Sequence, residues 1–149
     1  MFSVIIPLYN KEYTIIKTID SVLNQTMGDF EIVIVDDGSN DDSVKIIKKN
    51  FNDQRIKILS QVNSGVSVAR NNGVAKAKYD HIAFLDGDDL WKPYYLETMV
   101  KAINLYPQNG LYCCAGIVRN PEGDYLRIAE TYKNKICEID FFENPHVFL

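Results

Sequence analysis

Three carboxylates lie within the four residues Asp86-Gly87-Asp88-Asp89, directly behind the short apolar run Ile82-Ala83-Phe84-Leu85. A continuously apolar segment of that length predicts a strand buried on both faces, as in a parallel sheet covered by helices. Carboxylates at the end of such a strand stand in the crevice where open α/β sheets bind ligands. Gly87 lets the chain turn tightly and lets a ligand approach the backbone. Hard oxygen donors in that place suit Mg²⁺ or Mn²⁺ shared with a phosphate. The competing reading is an Asp-rich turn that caps the following helix.

Two other stretches carry groups of the same kind. Behind the run FEIVIV (residues 30–35) comes Asp36-Asp37-Gly38-Ser39-Asn40-Asp41. Ser39 or Asn40 can cap the next helix, with Asp41 and Asp42 in its positive first turn. Asp36 and Asp37 come at the strand end itself, so capping does not account for them. Behind FSVIIP (residues 2–7) comes Leu8-Tyr9-Asn10, where Tyr9 can offer a flat face to an aromatic ligand and Asn10 suits a cap or turn. Arg70, within NSGVSVARNNGVAKAK (63–78), is either a surface arginine or a charge-assisted contact to a ligand's phosphate or base.

Positioning these groups requires alternating strands and helices. Ile15, Ile16, Ile19, Val22 and Leu23 give one apolar helical stripe, stopped near Gly28. Val44, Ile46, Ile47 and Phe51 mark a second helix, and residues 56–59 (IKIL) a third strand. Gly65, Ala69, Ala75 and Ala77 suit a helix over 63–78 packed closely on a sheet. Lys92-Pro93 fits a helix entry, followed by the stripe Leu96, Met99, Val100 and Ile103. Residues 111–118 read as a fifth strand, Asn120-Pro121-Glu122-Gly123 as a turn, and 125–129 as its hairpin partner. The pattern predicts an α/β fold, Rossmann-like, with a mostly parallel central sheet and helices on both faces. Right-handed crossovers then open the ends of strands 1, 2 and 4 on one edge.

The sequences P-L-Y-N, D-D-G-S, N-S-G-V-S-V-A-R-N and D-G-D-D, in that order, resemble the nucleotide-binding half of the family 2 glycosyltransferases, an inverting group with the GT-A fold. The resemblance runs from Phe2 to about Ala115. It implies transfer of a sugar from a nucleotide-diphospho-sugar, a UDP-sugar by analogy, to a saccharide or lipid-linked saccharide acceptor. By that resemblance Tyr9 borders the nucleobase, Pro7 and Leu8 lend backbone contacts, and Asp37 recognises the base while Asp36 shapes the loop. Arg70 approaches the nucleotide, Asp86 lies near the ribose, Asp88 ligates a divalent cation (Mn²⁺ or Mg²⁺), and Asp89 serves capping and support. Many relatives build surface polysaccharide, which implies a cytoplasmic protein, peripherally associated with the membrane's cytoplasmic face. The general base in this family lies well downstream of the D-x-D motif. Glu130, Glu138, Asp140 and Glu143 are available, but no family motif surrounds them, so the base is left unassigned. The whole chain therefore reads as a single domain truncated at its C-terminus, with its core at 2–118 and a hairpin and incomplete acceptor-side region at 119–149. Such a chain is expected to retain donor binding, to transfer sugar poorly, and to bury its apolar tail in a homodimer.

Other classes compete. A non-catalytic nucleotide-sugar binding module keeps the site and lacks the base. A haloacid-dehalogenase-type phosphatase, suggested by F-L-D-G-D-D, needs its nucleophilic Asp after strand 1, where P-L-Y-N stands. A dinucleotide-binding oxidoreductase needs G-x-G-x-x-G there, and none follows.

Composition bounds the rest. The 149 residues are one domain's worth of chain, 46% hydrophobic and 24% charged, ordinary for a globular protein. A net charge of −4 gives no footing for nucleic acid, and Lys45, Lys48 and Lys49 read as a solvated helix face. Cys113 and Cys114, in an apolar run, read as small core residues and, with Cys137, as reduced thiols of a cytosolic protein. No segment approaches the roughly 18 apolar residues of a membrane span. His81 precedes strand 4 and reads as structural. Trp91, Tyr94 and Tyr95 either line a sugar site or, as is commoner for aromatic residues beside a helix start, serve core or lid packing.

Overall fold

The computed structural model describes residues 1–114 together with the backbone of two short strands, 116–118 and 125–127. By internal contacts the chain forms two compact units, Met1–Glu97 and Thr98–Leu149.

In the first unit, β1 (Phe2–Leu8), β2 (Phe30–Asp36), β3 (Ile56–Ser60) and β4 (His81–Phe84) form one sheet in the order β3-β2-β1-β4. Every pairing is parallel, with Ile5 opposite both Val33 and Phe84 and Leu8 opposite Asp36. The strands form where β-branched residues run together, and the helices α1 (Ile15–Leu23), α2 (Ser43–Asn50) and α3 (Val66–Ala75) form between them. Two right-handed crossovers carry the chain from β1 outward to β2 and β3, which sets α1 and α2 on one face, where they pack on each other. The third crossover runs back past β1 to β4, so α3 covers the opposite face. There Ala69 of α3 joins Ile5, Val33 and Val35 in a buried cluster. Gly73 permits that approach: a Cβ at this position would fall on Cγ2 of Ile5 and lie 3.2 Å from Cγ2 of Val35. Both faces of β1 and β2 are consequently buried, and their apolar residues other than the half-buried Pro7 are all but inaccessible. The order reverses between β1 and β4, and that reversal is a topological switch point.

Several expectations are corrected. The β4 segment is not buried on both faces; among the described residues it is an edge strand of this sheet, and Phe84 is 48% exposed. The helix expected over 63–78 is shorter, since the residues before Val66 form a loop committed to Asp37. α1 ends at Leu23, before Gly28, and α2 starts at Ser43, so Ser39, Asn40 and Asp41 all precede it. α4 (Tyr95–Leu105) begins two residues beyond Pro93, after a turn in which the Tyr95 N–H bonds the Lys92 carbonyl. Residues 111–114 form no strand; β5 is only Gly116–Val118, and it pairs antiparallel with β6 (Tyr125–Arg127), as the hairpin reading required. Cys113 and Cys114 are exposed rather than core residues. The expected turn at 120–123, the candidate carboxylates Glu130, Glu138, Asp140 and Glu143, and Cys137 lie outside the described residues. Lys45, Lys48 and Lys49 are exposed on α2, as a solvated face should be. His81 opens β4 with its ring 5.5 Å from that of Phe2, at the N-terminal edge of the sheet.

Candidate functional site

The ends of β1, β2 and β4 converge as the parallel order demands. A cavity of about 480 Å³ opens at the switch point, lined from β1 and its loop by Pro7, Leu8, Tyr9 and Lys11. Asp37 contributes from the β2 end, and Asp86, Gly87 and Asp88 from the β4 end. Asn63, Gly65, Val66 and Ala69 close the remaining side. Asp37 and Asp88, 51 residues apart in sequence, thus face one space.

The loops behind β1 and β2 are fastened to each other. Asn10, held at φ +52°, donates its N–H to Ser39 Oγ at 3.1 Å and accepts the Asn40 N–H on Oδ1 at 2.8 Å. The Lys11 N–H bonds Ser43 Oγ at 2.9 Å, the Glu12 N–H bonds Asp41 Oδ2, and Glu12 Oε2 accepts the Asp42 N–H. Asp41 also accepts the Ser43 hydroxyl at 2.5 Å. Much of the acidity of D-D-G-S-N-D-D is therefore spent on shaping this edge. Asp36 belongs to the same group: its Oδ1 accepts the Ser39 N–H at 3.0 Å. The D-G-D-D loop is pinned from α1, where the Thr14 hydroxyl donates to the Gly87 carbonyl at 2.9 Å and Ser21 Oγ accepts the Trp91 N–H.

Asp37 is 4% exposed and accepts three hydrogen bonds. Gln61 Nε2 (2.7 Å) and the Ser64 N–H (2.7 Å) reach Oδ1, and the Gly65 N–H (2.9 Å) reaches Oδ2. Burial pushes its carboxyl upward, but those three donors outweigh it and hold Asp37 below the usual carboxylate range. Gly38, at φ +73°, lets the 61–65 loop close over it; a Cβ there would stand 3.0 Å from the Asn63 nitrogen.

Each acid of D-G-D is met by a base from another element. Arg70 does not line the cavity, but its Nη2 donates to Asp86 Oδ1 at 2.6 Å. Lys11 Nζ donates to Asp88 Oδ2 at 2.5 Å, with both side chains well exposed, 37% and 46%. Asp89 is pushed above its ordinary value by partial desolvation and by the Asp88 and Asp86 carboxylates, against the opposing pull of Lys11. It caps no helix, because α4 begins at Tyr95. Tyr9 is 44% exposed at the cavity. Trp91 stacks on Tyr95, ring centroids 4.1 Å apart, and is not among the cavity residues.

Pro7, Leu8, Tyr9, Asp37, Asp86 and Asp88 are brought together as the sequence suggested, with Arg70 joined through Asp86. Lys11 and the 61–65 loop were missed. Lys11 follows P-L-Y-N with no motif of its own; its position just past a strand end was the available signal. The loop's part in holding Asp37 rests on two backbone N–H groups, which residue types do not reveal, and on the Gln61 amide, whose reach to Asp37 exists only in the folded chain.

A parallel α/β sheet with an acid- and base-lined cavity at its switch point defines the class: a Rossmann-like α/β domain. Comparison with known proteins narrows it. The model for Glycosyl transferase family 2 matches residues 3–147, and the chain belongs to that family. An uncharacterized glycosyltransferase of Rickettsia bellii is 44% identical over 125 residues, 83% of this chain and 18% of that protein. An uncharacterized glycosyltransferase of Haemophilus influenzae is 36% identical over 137 residues, 89% of this chain and 54% of that protein. The chain thus spans between about a fifth and about half of the length of these two relatives. The crystal structure of S. aureus TarS 1-349 in complex with UDP-GlcNAc superposes with a TM-score of 0.66 at 32% identity, covering 71% of this chain and 32% of that one. The fold is GT-A, with the parallel sheet flanked by helices. Among the described residues, no helix is long and apolar enough to cross a membrane.

Proposed function

We propose that the cavity binds the nucleoside diphosphate of a nucleotide-sugar donor, UDP-sugar by preference, and that the chain is the donor side of an inverting glycosyltransferase. The observation that carries this reading is the convergence of Tyr9, Asp37, Lys11 and Asp88, from three separate strand ends, on one space. Tyr9 packs on the base, and Asp37 accepts a base N–H. Pro7 and Leu8 supply backbone and wall, Asp86 lies beside the ribose, and Arg70 and Lys11 meet the phosphates. Family membership and the UDP-GlcNAc complex of TarS support the donor class.

The residues fit a divalent cation of a particular kind. Among the described residues no group of three or more His, Cys, Asp or Glu side chains could hold a metal ion by itself. Mg²⁺ and similar ions at phosphate sites take only one or two carboxylates and complete their shell from phosphate and water. Asp88, whose Oδ2 already holds an ammonium, fits that shared arrangement, so Mn²⁺ or Mg²⁺ is proposed at Asp88. When bound, the cation offsets the negative charge that grows on the departing diphosphate. The chain's own part is to release Asp88 from Lys11 and to bring Lys11 and Arg70 onto the phosphate oxygens. The acceptor proposed is a saccharide or lipid-linked saccharide of polysaccharide assembly, reached from the cytoplasm at the membrane face. Its hydroxyl attacks opposite the leaving diphosphate, which requires a general base that no described residue is assigned to supply.

The test is calorimetric titration of UDP, GDP and dTDP with and without Mn²⁺ into the chain and its Asp88→Ala and Asp37→Ala variants. Metal-dependent binding that loses its metal dependence in the first variant and its base preference in the second supports the assignment. Unchanged binding in both removes it.

A further inference from the structure

Asp37 lines the cavity with most of its carboxylate's accepting capacity already used. A carboxylate offers about four acceptor positions. Gln61 Nε2 and the Ser64 N–H occupy Oδ1, and the Gly65 N–H occupies one position on Oδ2. About one position, on Oδ2, remains for anything entering the cavity. Two of the three donors are backbone and would persist under most substitutions. The third is a side chain, and it is itself oriented: Asn72 Nδ2 donates to Gln61 Oε1 at 2.7 Å, which turns the Gln61 NH₂ toward Asp37.

The number of open positions decides which base edge fits. Uracil presents one N–H between two carbonyls and needs one acceptor. Guanine presents a ring N–H beside an NH₂, a pair of donors that needs both carboxylate oxygens. An unmatched buried donor is costly, so the mismatch discriminates. We infer that Gln61, set by Asn72, is a specificity-determining residue: by occupying Asp37 Oδ1 it confines Asp37 to a single acceptor and so favours a uracil-type edge over guanine. This rests on the proposed placement of a nucleobase at Asp37 and adds which side chain sets the selection.

UDP and GDP, each with Mn²⁺, are titrated into the 149-residue chain, Gln61→Ala and Asn72→Ala. The ratio of the GDP to the UDP dissociation constant is expected to fall about tenfold in Gln61→Ala, the worth of one charge-assisted hydrogen bond that guanine gains. Asn72→Ala, an exposed helix position at which alanine is the better helix former, is expected to move the ratio the same way by a smaller factor. It carries the test should Gln61→Ala fail to fold. An equal loss of both nucleotides, or an unchanged ratio in whichever variants fold while UDP still binds, overturns the role of Gln61 alone. Failure of the unmodified chain to bind UDP overturns the proposed function as well.

Discussion

Replacing Asp37 by asparagine keeps the shape and removes the charge, and the structure sets the size of the effect. The carboxylate now accepts on both oxygens, from Gln61 and Ser64 on one and from Gly65 on the other. Asparagine has one acceptor oxygen. If that oxygen stays with Gln61 and Ser64, the amide NH₂ is forced against the Gly65 N–H, donor against donor. One bond to a charged acceptor is lost, worth about 1.5–3 kcal/mol, and two others become neutral. A loss of about 2 kcal/mol, within that range, is expected. For a chain of this length that lowers the melting temperature by about 4–8 °C. Trp91 is the sole tryptophan and lies within the 1–97 unit, so its fluorescence follows the unit concerned. The pH dependence has a definite sign. Asp37 is held below its ordinary value of 3.8, so its contribution is fully present above that value and drains away as pH falls through the lower folded value. The gap between the two proteins should be full at neutral pH and close only below about pH 3.8. Identical melting at neutral pH, or a gap that closes as pH rises, would refute the assignment of these three hydrogen bonds.

Further outcomes follow from the same packing and charges. Lys11→Met removes the ammonium from Asp88, an exposed pair worth about 0.2–1 kcal/mol. It should tighten Mn²⁺ binding without nucleotide by up to about fivefold and weaken UDP binding, both read by calorimetry. Gly73→Ala gains about 1 kcal/mol of helix propensity but drives a Cβ onto Ile5 and Val35. Overpacking of about 1–3 kcal/mol should exceed the gain, and a lower melting temperature checks it. Glu31, buried on β2, accepts Ser3 Oγ at 2.6 Å, Lys57 Nζ at 2.7 Å and the Lys78 N–H. Burial pushes its carboxyl up, but these partners outweigh it and hold it below its ordinary 4.5. Glu31→Gln should therefore destabilise by about 1–2 kcal/mol at neutral pH, and urea midpoints should converge below about pH 4.5.

What the sequence disclosed was set by periodicity and order. Apolar β-branched runs locate β1 and β2 closely because both faces are buried, which leaves no polar alternation to confuse them. The same signal misled at β4, where Phe84 continues the apolar run although the strand lies at the sheet edge. Runs of aspartate were legible as strand-end groups, but their division of labour was not. Asp36 and Asp41 fasten loops, whereas Asp37, Asp86 and Asp88 face the cavity, and residue type does not separate these roles. Lys11 went unread because an ion pair across 77 residues exists only once β1 and β4 are adjacent. Cys113 and Cys114 looked like core because their neighbours are apolar, yet the segment forms no strand and both are exposed.

The most direct measurement is a crystal structure of this chain grown with UDP and Mn²⁺. The expected result places the uracil against Tyr9 with its N–H on Asp37 Oδ2, the metal on Asp88, and Lys11 moved from Asp88 to a phosphate oxygen. A diphosphate bound away from the D-G-D-D loop, or bound in the cavity with the Lys11–Asp88 pair still intact and no metal on Asp88, would contradict it.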